Sequence, residues 1–258
     1  MSLPAPASPT RPAALVSPIG RAAPLAIPLC LAALLAGLAA PSVDARTVVD
    51  DWGSWGQFVA EGSLQGVSPS LDKTRIWVEG QSRWATDWTH WYQGMARTAI
   101  GYSLSDRATI WAGYTYLPTQ NVGKPFLGQQ DLWPAFRYVL PLDNSGTTLT
   151  SRTMFETNFL RGVDVRYRPR QMLRFLHPFA AEPRLSLIVW DEFFVRANTT
   201  PSGGNAGFDQ NRAFAGFGWT VDKGLRAELG YLNQRINDAT LQKTTSHNLV
   251  MGSVYYNF

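Results

Sequence analysis

The sequence predicts an all-β protein, a transmembrane antiparallel up-and-down β-barrel behind a cleaved export signal. Three observations carry that expectation: an uncharged N-terminal run, long segments that alternate apolar and polar residues, and a last segment that ends in Phe258. Composition agrees. Of 258 residues 45% are hydrophobic and only 16% charged, under the roughly 25% charged usual for soluble domains, which excludes a disordered or acidic-tail protein. The formal net charge of +4 is too small to point to nucleic acid.

Residues 1–21 are rich in Pro and Ala and carry Arg11 and Arg21, and no charge follows from Ala22 to Ala40. Val43-Asp44-Ala45 then supplies the short residues that a signal peptidase reads. This is the pattern of a secretory signal with a long n-region, residues 1–45, cleaved after Ala45. A run of that length could nearly cross a bilayer as a helix, but Pro24 and Pro28 speak against one. Cys30, the single Cys, lies inside the run behind Leu29. Neither a lipid anchor, a disulfide nor a Cys-based zinc site is expected. Residues 46–258 then form the barrel domain. They hold 21 basic and 18 acidic side chains, and no apolar run among them approaches helix-spanning length.

The strands are read from period two. Ile76, Val78 and Gly80 alternate with Arg75, Glu79, Gln81 and Arg83, Trp77 being the exception. Val165, Tyr167, Pro169 and Leu173 alternate with Arg166, Arg168, Arg170, Met172 and Arg174, and Leu225, Ala227, Leu229 and Tyr231 with Arg226, Glu228 and Gln234. A helix would scatter these Arg around its circumference. Similar segments fall near 52–64, 91–103, 107–117, 129–140, 148–160, 184–196, 209–220 and 246–258. Most exceed the five or six residues usual for strands and match the roughly 9–11 that a tilted strand needs to cross a bilayer. Loops are expected at 117–128 and 197–208, where Pro, Gly and Ser cluster.

A soluble sandwich would turn the apolar faces inward, whereas a membrane barrel turns them to lipid. The export signal favours the barrel, as do aromatics crowded at strand ends, Trp84, Trp88, Trp91 and Tyr92, where headgroup belts form. So does the last strand, with Val250, Gly252, Val254, Tyr256 and Phe258 on one face. That terminal pattern resembles the assembly signal of bacterial outer-membrane barrels. The implied partners are outer-membrane lipid and the barrel-assembly machinery, and the implied location is the cell outer membrane. Eleven segments are countable, but bacterial single-chain barrels have even strand numbers. The tight turns at Ser105-Asp106 and Val221-Asp222-Lys223-Gly224 are placed on the periplasmic side. From them, 75–84 runs up and 246–258 runs down, giving ten strands, with twelve as the alternative and segment 52–64 left over.

The residues resemble a family of Gram-negative proteins, domain of unknown function 2490. The similarity rests on Arg75 to Arg83 (RIWVEGQSR), Arg97 to Tyr102 (RTAIGY), Trp111 to Tyr114 (WAGY), Arg152 to Glu156 (RTMFE), Val189 to Phe193 (VWDEF), Gly207 to Gly216 (GFDQNRAFAG) and Leu229 to Gln234 (LGYLNQ). The resemblance implies an outer-membrane-type barrel with no established activity. Met154 and Asn158 stand where the family's alternating strand leads one to expect Arg.

The inferred lumen carries Arg75, Arg83, Arg97, Arg152, Arg166, Arg168, Arg170, Arg174, Arg212 and Arg226, against Glu79, Glu156, Glu192 and Glu228. Arg is always charged and grips carboxylates and phosphates in forked pairs. A basic lumen suits a narrow channel or binding barrel for small anions. The alternative is a closed structural barrel whose Arg and Glu ladders plug the interior. The charge surplus favours anions. A rim-located hydrolase is the third reading. It rests only on His90 and His247 at the outer end, His177 at the periplasmic end, and Asp87 near His90. No Gly-x-Ser-x-Gly elbow accompanies them. No metal, cofactor or phosphate-loop motif is present, so none is implied.

Overall fold

The computed structural model describes residues 47–201, 204–238 and 243–258. The expected signal, residues 1–45, lies outside the described residues. The rest is all-β: β1 (Thr47–Ser63), β2 (Thr74–Ala85), β3 (His90–Ser103), β4 (Ala108–Thr119), β5 (Leu127–Pro141), β6 (Thr148–Leu160), β7 (Val163–Phe179), β8 (Glu182–Arg196), β9 (Gly207–Asp222), β10 (Leu225–Asp238) and β11 (Lys243–Asn257). Two single 3-10 turns sit in the loop between β1 and β2.

The strands close into one barrel. Each strand pairs antiparallel with its neighbour in sequence, and β1 pairs parallel with β11 from Thr47↔Lys243 to Glu61↔Asn257. The barrel therefore has eleven strands, neither ten nor twelve, and segment 52–64 belongs to β1 and completes the wall. The physical reason is parity. In a meander each strand reverses its predecessor, so an odd number leaves the first and last strands running the same way, and only a parallel seam closes them. Closure also satisfies backbone groups that an unpaired edge would expose.

Every strand presents one face inward and one outward. On β2, Trp77, Glu79 and Arg83 are buried while Val78 and Trp84 are exposed. The outer face carries Phe58, Ile100, Ile110, Leu132, Phe155, Val189, Phe217, Leu229, Val250 and Val254, all exposed. Several polar residues on this face bond one another: Asn211 donates to Asp191 at 2.9 Å, Thr153 pairs with Gln171, and Tyr231 donates to Asn248 at 2.5 Å.

The interior holds two apolar clusters. Trp55, Ile188, Trp190, Phe214, Leu232, Leu249 and Met251 pack on the seam side, and Val59, Trp77, Ala99, Trp111, Trp133, Ala135 and Met154 on the other. About eight strands enclose a width that ordinary side chains fill, and far larger barrels keep an open channel. Eleven lie between, and here the long Trp and Arg side chains span the gap. Small residues make room for them: a Cβ at Gly101 would lie 2.5 Å from the Trp111 ring, and one at Gly113 would strike Trp133.

Both rims carry connections of mixed length: the 64–73 loop, the 104–107, 142–147, 180–181 and 223–224 turns and the C-terminus lie at one, and the β2–β3, β4–β5, β6–β7 and β8–β9 connections at the other. At the second rim Thr86, Asp87 and Trp88 are all left-handed, with φ of 54°, 52° and 64°. This conformation is costly for residues with a Cβ. The Asp51 carboxylate holds it by accepting from the backbone N–H groups of Thr86 at 3.2 Å and Asp87 at 3.4 Å.

Candidate functional site: the barrel interior

Between the apolar clusters runs a network of guanidinium and carboxylate groups. Buried Glu156 accepts charge pairs from Arg168 at 2.7 Å, Arg170 at 3.4 Å and Arg97 at 3.8 Å. Glu192 is shared by Arg152 at 3.0 Å, Arg170 at 3.5 Å and Arg212 at 3.5 Å. Glu228 takes Arg174 at 2.5 Å and Arg226 at 2.8 Å, and Glu79 takes Arg97 at 3.1 Å. Arg75 meets Glu61 at 3.3 Å. Arg166 donates to Gln129 at 3.1 Å. Arg83 donates to Gln81 at 2.5 Å and to Gln93. The fourteen residues singled out in the sequence thus share one interior. Forks of this kind need the flat guanidinium, which a Lys could not replace.

The structure adds five charged residues that sequence reasoning missed: Arg137, Arg196, Glu61, Asp131 and Asp209. Arg137 donates twice to Glu61, and Arg196 meets Asp209 at 2.5 Å. Asp131 accepts from Asn158 at 2.8 Å. Between the rims, twelve Arg therefore face seven Asp and Glu among the described residues, the same sign of surplus as in the sequence reading. Met154 and Asn158 also point inward. The Met154 sulfur accepts from Arg170 at 2.9 Å, so neutral groups there bind the neighbouring ladder. Aromatic rings carry part of the charge as well: the Arg83 Cζ lies 3.7 Å and the Arg212 Cζ 4.9 Å from the Trp55 ring centre, a geometry in which the ring quadrupole attracts a cation.

Space remains beside these groups. One cavity of about 230 Å³ lies within the network, lined by Trp55, Gln81, Arg83, Arg97, Arg152, Arg170, Glu192, Arg212 and their neighbours. Another, of about 540 Å³, lies at the rim of the 64–73 loop and the 104–107 turn, lined by Lys73, Arg75, Asp106, Arg107, Thr109 and Arg137 among others. Several donors around the inner cavity lack partners among the described residues: Trp55 Nε1, Trp77 Nε1, Arg83 Nε and Arg152 Nε, against one such acceptor oxygen of Asp131.

The three histidines stand apart from this network. His90 Nε2 is 2.7 Å from the Gln120 carbonyl, His177 Nδ1 is 2.9 Å from the Thr147 hydroxyl, and His247 Nδ1 is 3.0 Å from Asp51. The carboxylate beside a rim histidine is thus Asp51 on His247, a pairing that sequence spacing did not suggest. Among the described residues no group of three or more His, Cys, Asp or Glu could hold a metal ion.

Fold and interior together define a closed β-barrel with an Arg-rich, side-chain-filled core. The chain belongs to the family described as protein of unknown function (DUF2490), whose model matches residues 52–245. It is also similar to an uncharacterized protein of Methylorubrum extorquens, 30% identical over 167 residues, which cover 64% of this chain and 73% of that one. No solved structure matches the chain.

Proposed function

We propose that the protein is an outer-membrane barrel whose interior binds a small anionic solute without forming an open pore. The observation that carries this reading is the charge imbalance of the core, with nine Arg against five Asp and Glu lining an inner cavity of about 230 Å³. Unpaired buried cations are costly, and an anion in the cavity would offset the surplus.

The membrane part draws support from the outer face. Its exposed Leu, Val, Ile and Phe side chains suit hydrocarbon, and exposed Trp52, Trp84 and Trp88 at one rim and Tyr102, Trp219 and Tyr256 toward the other suit headgroup belts. On this reading the rim with the 104–107 and 223–224 turns faces the periplasm, the N-terminal segment is an export signal, and β11, followed by Phe258, is the strand recognised during assembly. Binding is favoured over permeation because Glu61, Glu156, Glu192, Glu228 and Asp209 are each held by guanidiniums from more than one strand, which cross-links the wall through the lumen. Enzymatic chemistry has less support, since each rim histidine is engaged by a carbonyl, a hydroxyl or a single carboxylate.

The test has two arms. After cell fractionation and a high-pH wash, the protein is expected in the outer membrane and heat-modifiable on gels. In planar bilayers it is expected to insert without a steady ohmic current. Recovery as a folded soluble monomer defeats the membrane part, and a stable open conductance defeats the closed interior.

A further inference from the structure

We infer that the interior contains a defined oxyanion site where Arg83 and Arg212 converge on Trp55. The inference rests on the anion-binding reading above and narrows it to one end of the cavity.

Arg83 is only 6% exposed. Among the described residues its partners are neutral: the Gln81 and Gln93 side-chain oxygens and the Trp55 ring. Its Nε has no acceptor among the described residues, nor does the Nε1 of Trp55 beneath it. A carboxylate is reached only through Gln81, whose amide donates to Glu79 at 2.5 Å. Arg212, on the same ring, reaches Glu192 at 3.5 Å, and Glu192 already serves Arg152 and Arg170. All these groups except Gln93 line the inner cavity.

A buried guanidinium with a free N–H and an indole N–H beside it call for an acceptor, and the second guanidinium, which Gln210 bonds as a neutral acceptor and whose carboxylate is shared three ways, adds under-compensated charge. A neutral acceptor would satisfy the hydrogen bonds but leave both charges. A carboxylate or phosphate oxygen satisfies both, and guanidinium forks match the geometry of either. The cavity size limits the ligand to inorganic phosphate or a short carboxylic acid. Gln81 and Gln93 then act as positioning residues, holding the Arg83 fork flat on the ring so that its Nε edge faces the ligand.

The experiment uses the full barrel refolded in detergent with ¹⁵N-labelled tryptophan, titrated separately with inorganic phosphate, acetate and succinate. The Trp55 indole resonance is identified by its loss in Trp55→Phe. We expect it to shift saturably with at least one probe, and the preferred probe separates a phosphate from a carboxylate site. Arg83→Gln should weaken that binding about tenfold or more, the scale of one charge-assisted hydrogen bond. Arg83→Lys should fall between, and Lys223→Gln on an exposed turn should change nothing. If Arg83→Gln does not fold, the wild-type Trp55 shift decides alone. A Trp55 resonance unmoved by all three probes, or unchanged affinity in Arg83→Gln, overturns the site. Anion retention elsewhere in the same barrel would leave the broader reading standing, and its complete absence would remove both.

Discussion

Arg137 on β5 grips Glu61 on β1 through both terminal nitrogens at 2.5 Å, although 76 residues separate them. Strands β2, β3 and β4 lie between them in the wall, so the pair crosses the interior. Glu61 also takes Arg75, and its replacement leaves two guanidiniums facing each other near the rim that carries the 64–73 loop. Glu61→Gln should lower folding stability by about 2 kcal/mol, below the roughly 3–5 kcal/mol of a fully buried pair because both side chains keep some solvent. Urea titration of the refolded barrel measures this. In the double variant with Arg137→Met the loss should be smaller than the sum of the two single losses. Strict additivity would show that the pair does not couple across the lumen.

The parallel seam makes a geometric prediction. Gly56 and Gly252 are register partners on β1 and β11, both on the outer face. A Cβ at Gly252 meets nothing within 4 Å, and one at Gly56 meets only the Ser82 carbonyl at 3.9 Å. Cysteines at both positions should form a disulfide on mild oxidation of the folded barrel, read as a reductant-sensitive gel shift. Gly56→Cys paired instead with Val250→Cys, two residues out of register, should cross-link far less. Equal cross-linking of the two pairs would disprove this register.

Much of this was legible in the sequence. The eleven alternating segments correspond one to one with the eleven strands, and the general rule of even strand number is what diverted the count. The directions deduced for 75–84 and 246–258 agree with β2 and β11. Less legible was the inward aromatic set. Trp77 looked like an exception on a polar face, yet Trp55, Trp77, Trp133 and Trp190 share parity with Glu61, Glu79, Asp131 and Glu192 respectively. A wide lumen needs bulky apolar fillers as well as charges, so inward Trp is the expected partner of inward Arg. Arg137 and Asp131 lay in a recognised segment whose phase was not worked out, and Trp133 between them would have set it.

The Trp packing gives a controlled pair of substitutions. Gly113→Ala places a methyl group against Trp133, whose Nε1 is fixed on the Thr115 hydroxyl at 2.8 Å. Overpacking of this kind costs about 1–3 kcal/mol. Gly80→Ala on β2 meets nothing within 4 Å and should be neutral or slightly stabilising. Thermal unfolding monitored by heat-modifiable migration should separate the two, and equal stability would contradict the packing of Trp133 over Gly113.

The membrane reading is tested at Leu132, exposed near the middle of β5. In a water-soluble barrel an Arg there would be harmless. Facing lipid near the midplane it should cost about 2–4 kcal/mol and lower the yield of folded protein in vesicles. Leu104→Arg, on the rim turn, should have little effect. Identical folding yields for the two variants in vesicles would argue against a lipid-facing β5.

The central claim is that the barrel interior holds an anion and excludes cations. Equilibrium dialysis of the refolded full-length barrel against radiolabelled phosphate, succinate and rubidium tests it most directly. The account predicts saturable retention of phosphate or succinate and no rubidium above the detergent blank. Retention of rubidium comparable to that of the anions, or no anion retained at all, would contradict it.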